Sequence, residues 1–339
     1  MAEHFLGKKH DQEAIRQQLA LYRRNPEHFI KASHPQVSFT TLEMLAYTDG
    51  YASCIHQPLL REALERLPDS LSHLPGCYAF DPARVWVGLA APADAGWFGG
   101  FYHADQGYRY LQQIALTSLS GALSHSSIDK TLQTLELLRA YVHDTLHYAT
   151  YRLFCPIPPG TESSLNFYRL QYGINFRRWQ GQSYSARDTV RSSTTHNLGN
   201  IMEAATDRFA QEFVLKLSTH IAYRPTPGAV IEDYLYRDCT GQLTQQDLLL
   251  FRSIERRCAE SDLPLAFKAY LRQMRLFVQY VTMRYGVFLA ECGGPHRAEL
   301  HELILQAMMS GKLHRLQYFL NRLRGETGSF VTVFKTPEY

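Results

Sequence analysis

A chain of 339 residues, 45% apolar and 20% charged, can bury a sizeable core, and this excludes an intrinsically disordered or low-complexity protein. Its formal charge of +3, with no block of five basic residues, carries no electrostatic footprint for nucleic acid, so no nucleic-acid partner is expected. No apolar run reaches about 18 residues, and residues 1–11 lack the basic-then-apolar order of a signal peptide. The expectation is a cytoplasmic protein with no membrane span, although a bacterial effector exported by a signal-independent route would have the same sequence.

In chain order, Ile15, Leu19 and Tyr22 fall at i, i+4 and i+7 and predict a helix over 11–24, stopped before Pro26. Helices are also expected over 42–47 and 58–67, the second closed by Pro68. Residues 1–75 therefore read as a helical leader. From Cys77 the pattern changes to β-rich runs at 84–89 and 108–116, separated by the turn-rich stretch from Ala90 to Gly100. Within that stretch Gly96-Trp97-Phe98-Gly99-Gly100 lacks the strand, turn and helix context of a dinucleotide fingerprint and reads as a loop near a cleft. Trp86, Trp97 and Trp179 read as core or rim residues.

A helix is predicted from Ser126 or Ser127, with Asp129 favouring its first turn, to about Phe154, ended by Pro156, Pro158 and Pro159. Its apolar face is Leu132, Leu135, Leu138, Val142 and Leu146. Residues 165–184 read as strands hinged at Gly173, and 185–195 as a loop. A second helix is expected from Asn197 or Asn200 to Leu215. Beyond Pro225-Thr226-Pro227-Gly228 most of the chain reads as helical, over 244–260, 264–291 and 297–323, with Cys292-Gly293-Gly294-Pro295 as a break. The fold class is α+β, a small sheet with an active-site helix plus a mainly helical C-terminal half. It divides into a leader at 1–75, a core at 76–225 and a helical subdomain at 226–339. The six cysteines show no C-x-x-C spacing and read as reduced.

The chemistry concentrates in His143-Asp144-Thr145-Leu146-His147. On a helix the i and i+4 side chains share one face, so both imidazoles can reach one metal ion, with Asp144 placed to face a metal-bound water. Such a pair is common by chance in a chain with fifteen histidines. Its context raises its weight, because the second predicted helix carries Glu203-Ala204-Ala205-Thr206-Asp207.

Together the two stretches resemble the gluzincin metallopeptidases, the thermolysin- and neprilysin-like enzymes, whose H-E-x-x-H helix is followed by a helix bearing E-x-x-x-D. The resemblance covers residues 84–215 and rests on about ten positions. It implies a zincin-like core and Zn²⁺ bound by His143, His147 and Glu203, with Asp207 behind the first histidine to fix its tautomer. It also implies that Asp144 is the general base for the metal-activated water, and that the substrate is a peptide or protein. Asp144 departs from the family, whose glutamate is longer by one methylene, about 1.5 Å. For the oxyanion stabiliser the candidates are His220 and Tyr223, with Tyr234 and His196 beside them.

Two other readings compete. An HD-type metal phosphohydrolase would use His125, His143-Asp144 and Asp207 with His147 as an extra ligand. It ranks lower because strands precede the doublet and only Arg139 and Arg152 lie near it to handle phosphate. A non-catalytic interaction protein would instead present Arg252, Arg256, Arg257, Arg272, Arg275 and Arg284 to a partner and keep a structural or inert metal.

Overall fold

The fold is known from a computed structural model that describes residues 3–22, 38–90, 99–100, 114–117, 128–157, 167–176, 197–249, 253, 256 and 277–334. The 108–113 part of the second predicted strand, the loops at 91–98 and 185–195, residues 177–184 with Trp179, His125, His196, and nearly all of 250–276, with Arg252, Arg257, Arg272 and Arg275, lie outside them.

The elements in order are β1 (Glu3–Phe5), α1 (Lys9–Tyr22), β2 (Ser38–Thr41), α2 (Leu42–Tyr47), α3 (Gln57–Leu71), β3 (Val85–Ala90), β4 (Gly99–Gly100), β5 (Ile114–Thr117) and α4 (Lys130–Ala149). There follow β6 (Arg152–Pro156), β7 (Phe167–Tyr172), β8 (Asn175–Phe176), α5 (Leu198–His220), α6 (Val230–Cys239), α7 (Met283–Gly293), α8 (Arg297–Ser310), α9 (His314–Arg324) and α10 (Ser329–Phe334). The class is mixed α+β. One sheet has the order β1-β6-β7-β8 and the other β2-β3-β5-β4. Each mixes parallel and antiparallel pairing, β1 with β6 and β3 with β5 being the parallel pairs.

Among the described residues the expected helices form, with instructive shifts at their ends; the helices expected over 244–260 and 264–291 lie largely outside the described residues. The 1–75 segment is not purely helical, since β1 and β2 each dock on a later strand. Pro68 does not close its helix; it lies in the last turn of α3, which runs on to Leu71. The predicted 297–323 helix is two, because Gly311 takes a left-handed φ of 68° at the end of α8 and redirects the chain into α9.

α4 begins at Asp129, whose carboxylate accepts from the backbone N–H groups of Thr131 and Leu132 and so satisfies two donors of the first turn. It ends at Thr150 rather than near Phe154, because the carbonyls of its last turn find other partners. The Thr150 hydroxyl donates to Leu146 O, and the Arg152 guanidinium folds back to donate to the Tyr148 and His147 carbonyls. Residues 152–156 are thereby released into β6. There Phe154 is buried in a small cluster with Ile15, Leu19 and Phe167, so the leader and β6 share a core.

Nearly every side of α4 is buried. It packs along α5 and against α3, α6 and the β4/β5 edge, and Tyr141 on it donates to the Phe80 carbonyl. Its leucines belong to a continuous core that runs from Leu42 to Phe334. A helix buried all round cannot turn its polar residues to water, so each needs an internal partner. The β7–β8 turn presses on α5: at Gly173, with φ of 55°, an added Cβ would lie 2.6 Å from the Met202 methyl carbon. Among the described residues no helix is long and apolar enough to cross a membrane.

Away from α4 a second buried polar pair joins α7 to α8, Tyr285 Oη and His301 Nδ1 at 2.8 Å. Burial, with a smaller push from Arg208, lowers the His301 pKa to about 3, against about 6.5 for an unperturbed imidazole. Between these values the unfolded chain binds the proton and the folded chain does not. Stability from this site is therefore complete above about pH 6.5 and falls as the pH drops toward 3. Urea unfolding should show a loss from this group of about 2 kcal/mol between pH 6.5 and 5, and His301→Gln should remove that part of the acid limb.

Candidate metal centre

Two i,i+4 pairs face each other across the α4–α5 contact, His143 with His147 and Glu203 with Asp207. Each pair shares a helix face because four residues advance the helix by just over one turn. His143 Nε2 lies 3.1 Å from Glu203 Oε1, His147 Nε2 lies 3.0 Å from Glu203 Oε2, and the two Nε2 atoms are 3.0 Å apart. These are the three residues among those described that form a group able to hold a metal ion. Donors bound at about 2.0–2.1 Å to one tetrahedral ion stand roughly 3.3 Å apart, close to the spacing found. The histidine side chains are 14% and 10% exposed, while that of Glu203 is 34% exposed. The cluster is thus open to solvent on the glutamate side.

Both rings have a polar partner behind them. The Tyr172 hydroxyl donates to the His147 carbonyl at 3.0 Å, and its oxygen lies 2.9 Å from His147 Nδ1. A phenol has one proton to give, so Nδ1–H of His147 is the donor in the second contact and the Nε2 lone pair faces the cluster. His143 Nδ1 faces Asp207 Oδ1 at 3.7 Å, which leaves its Nε2 toward the same point. Metal-binding histidines are usually held by such outer partners. Tyr172→Phe should cost about 1–3 kcal/mol by taking the partner from a buried N–H, and should weaken metal binding about 10–100-fold. Denaturant unfolding and metal titration read the two effects separately.

Asp207 is gripped in turn by Arg139, one α-turn before His143. Arg139 Nε and Nη2 donate to the two Asp207 oxygens at 2.9 and 3.0 Å, and Nη1 donates to Asp238 Oδ2 on α6 at 3.0 Å. With both histidines neutral, as metal ligation requires, Glu203, Asp207 and Asp238 against Arg139 sum to net −2, a charge that a divalent cation neutralises.

The electrostatics follow from that excess of anions. Burial alone would lower the His143 pKa, but hydrogen bonds and charge from Asp207 and Glu203 outweigh it and raise it to about 10. Burial is likewise outweighed at His147, where Tyr172 and Glu203 raise the pKa. In the opposite sense, the two histidines hold Glu203 well below the usual carboxylate range, and Arg139 and His143 hold Asp207 below it, although burial pushes both up. Metal and protons therefore compete for the same Nε2 atoms.

No protein-family model, curated protein or solved structure matches the chain. The site is therefore read from its own geometry.

Of the residues singled out in the sequence, the structure brings together His143, His147 and Glu203, with Asp207 directly behind. Asp144 is half-buried on the same turn as His143. His220 and Tyr223 are not brought to the cluster. His220 ends α5, about 25 Å along the helix from Glu203, exposed and bound to Arg66 and Glu62. Tyr223 sits against Asp129 and Glu232 near the start of α4, about 21 Å along that helix from His143. The length of a straight helix separates each from the triad. Tyr234 is buried on α6. Tyr172, Arg139 and Asp238 were missed, and one of them left a signal: Arg139 is an ion on the buried face of α4, in line with His143.

Proposed function

We propose that the protein is a metal-dependent hydrolase, a zinc metallopeptidase of gluzincin type acting on a peptide or protein. The observation that carries this reading is the convergence of His143, His147 and Glu203, three donors rather than four, with Glu203 partly exposed to solvent. A structural zinc site is closed by four protein ligands, whereas a hydrolytic one keeps three and an open position. Zinc at such a site supplies a Lewis acid and an acidified water.

The chain's residues divide the remaining work. The two imidazoles and the Glu203 carboxylate hold the ion, and Tyr172 and Asp207 fix the imidazole tautomers. Asp144 takes the proton of the attacking water and delivers it to the leaving amine. Asp207, with both oxygens held by Arg139, sits behind a ligand as the E-x-x-x-D arrangement requires, and this favours the peptidase over the phosphohydrolase reading, in which Asp207 would itself bind metal.

The test is metal content and cleavage together. Protein purified without chelators should carry about one zinc per chain and cut an unfolded protein substrate. It should lose both metal and cleavage on dialysis against a chelator, and regain both on addition of zinc. A chain that takes up no metal would overturn the reading. Two manganese or iron ions, with phosphate-ester hydrolysis, would transfer it to the phosphohydrolases.

A further inference from the structure

We infer that Arg139 is a positioning residue of the metal centre, and that the Asp238–Arg139–Asp207 chain sets the orientation of the His143 ring; this rests on the metal-site reading above. Three observations support it. The Arg139 side chain is 7% exposed and gives both arms of its fork to Asp207, at 2.9 and 3.0 Å. Its third nitrogen ties the same guanidinium to Asp238 at 3.0 Å, and Asp238 is 2% exposed on α6. Asp207 faces His143 Nδ1, at 3.7 Å. α4, α5 and α6 are thereby pinned at one point, behind one metal ligand.

A carboxylate with one hydrogen-bond partner can rotate about its terminal torsion, which is broad. A planar fork that engages both oxygens removes that rotation, so Asp207 presents Oδ1 to the ring in one orientation. Gln211 on α5, one turn beyond Asp207, donates to the Asp238 backbone carbonyl at 3.1 Å, so the far end of the chain is anchored as well. Charge alone would have the opposite consequence. A cation this close to the site repels a metal ion, so an arginine kept here for its charge would weaken metal binding, and removing it would tighten binding.

That difference in sign provides the test. Zinc affinity is measured by competition with a chelating dye, and cobalt(II) uptake by its d–d absorption, for wild type, Arg139→Lys, Arg139→Gln, Asp207→Asn and the Arg139→Lys/Asp207→Asn double variant. The expected result is zinc binding weakened about 10–100-fold in each single variant. The cobalt spectrum should be altered alike in Arg139→Lys and Asp207→Asn, and the double variant should be no weaker than Asp207→Asn alone, because both act through one contact. Tighter zinc binding by Arg139→Gln overturns the inference. So does wild-type affinity with an unchanged cobalt spectrum in Arg139→Lys, even with a lowered melting temperature, since that marks a residue that only holds helices together.

If the Arg139 variants do not fold, Asp238→Asn, which keeps an acceptor for the guanidinium, decides: severalfold weaker zinc binding with an altered cobalt spectrum supports the chain, and unchanged values overturn it. Failure of the wild-type chain to bind zinc or cobalt overturns the metal-site reading itself and this inference with it. Failure confined to the variants leaves the metal-site reading standing.

Discussion

Exchange of Glu203 for glutamine is expected to leave the chain folded and to abolish stoichiometric metal binding. The carboxamide matches the carboxylate in size but replaces an anion with a neutral group at the point where His143 and His147 converge. Loss of a partner behind a ligand typically costs 10–100-fold in metal affinity, and loss of a charged ligand should cost more. Isothermal titration with zinc reads the affinity, and circular dichroism separates a lost site from a lost fold. Since a metal ion would displace protons from Nε2 atoms that the neighbouring carboxylates make basic against the opposing effect of burial, the wild-type affinity should itself fall as the pH is lowered. Wild-type zinc affinity in the Glu203→Gln variant would remove Glu203 from the ligand set.

Replacement of Asp144 by asparagine should have the opposite profile, with metal retained at wild-type stoichiometry and peptide cleavage lowered about 10²–10⁴-fold. Asp144 follows His143 on α4 but is not one of the three converging residues, so its loss should not disturb the ion. Steady-state cleavage and metal analysis on one preparation give both readouts. Asp144→Glu restores the residue of the gluzincin pattern and extends the carboxylate by about 1.5 Å. It should keep the metal and sustain cleavage, and its rate relative to wild type measures how well the shorter acid reaches. Full turnover by Asp144→Asn would exclude Asp144 as the base.

The legibility of this protein in its sequence was uneven for physical reasons. Elements with strong local signals were readable. Asn197 offers a side-chain oxygen to the free N–H groups of a helix start, and Gly173 marks a turn that needs positive φ; the start of α4 is less legible, since the expected caps are Ser126 or Ser127 and the residue that caps is Asp129. The residues of the candidate site were readable too, since His143 with His147 and Glu203 with Asp207 are each defined by spacing along one helix. The junction of α4 with β6 was not, because the contact that ends the helix is made by Arg152, after the helix. Nor was the pairing of β1 with β6, which lie about 150 residues apart in sequence and meet only when the core closes.

The oxyanion candidates lie away from the triad for a related reason. His220 and Tyr223 were chosen by residue type near the end of a helix, and helix length alone carries them away from the triad. The sequence by itself determined the two helices and the residue types on their facing sides, because these follow from a repeat of 3.6 residues. Only the tertiary structure decided that the faces meet and that Tyr172 from a strand turns His147. It also decided that Arg139 and Asp238, from separate helices, close the chain behind His143. Those contacts depend on the relative placement of elements distant in sequence, and no local periodicity encodes that placement.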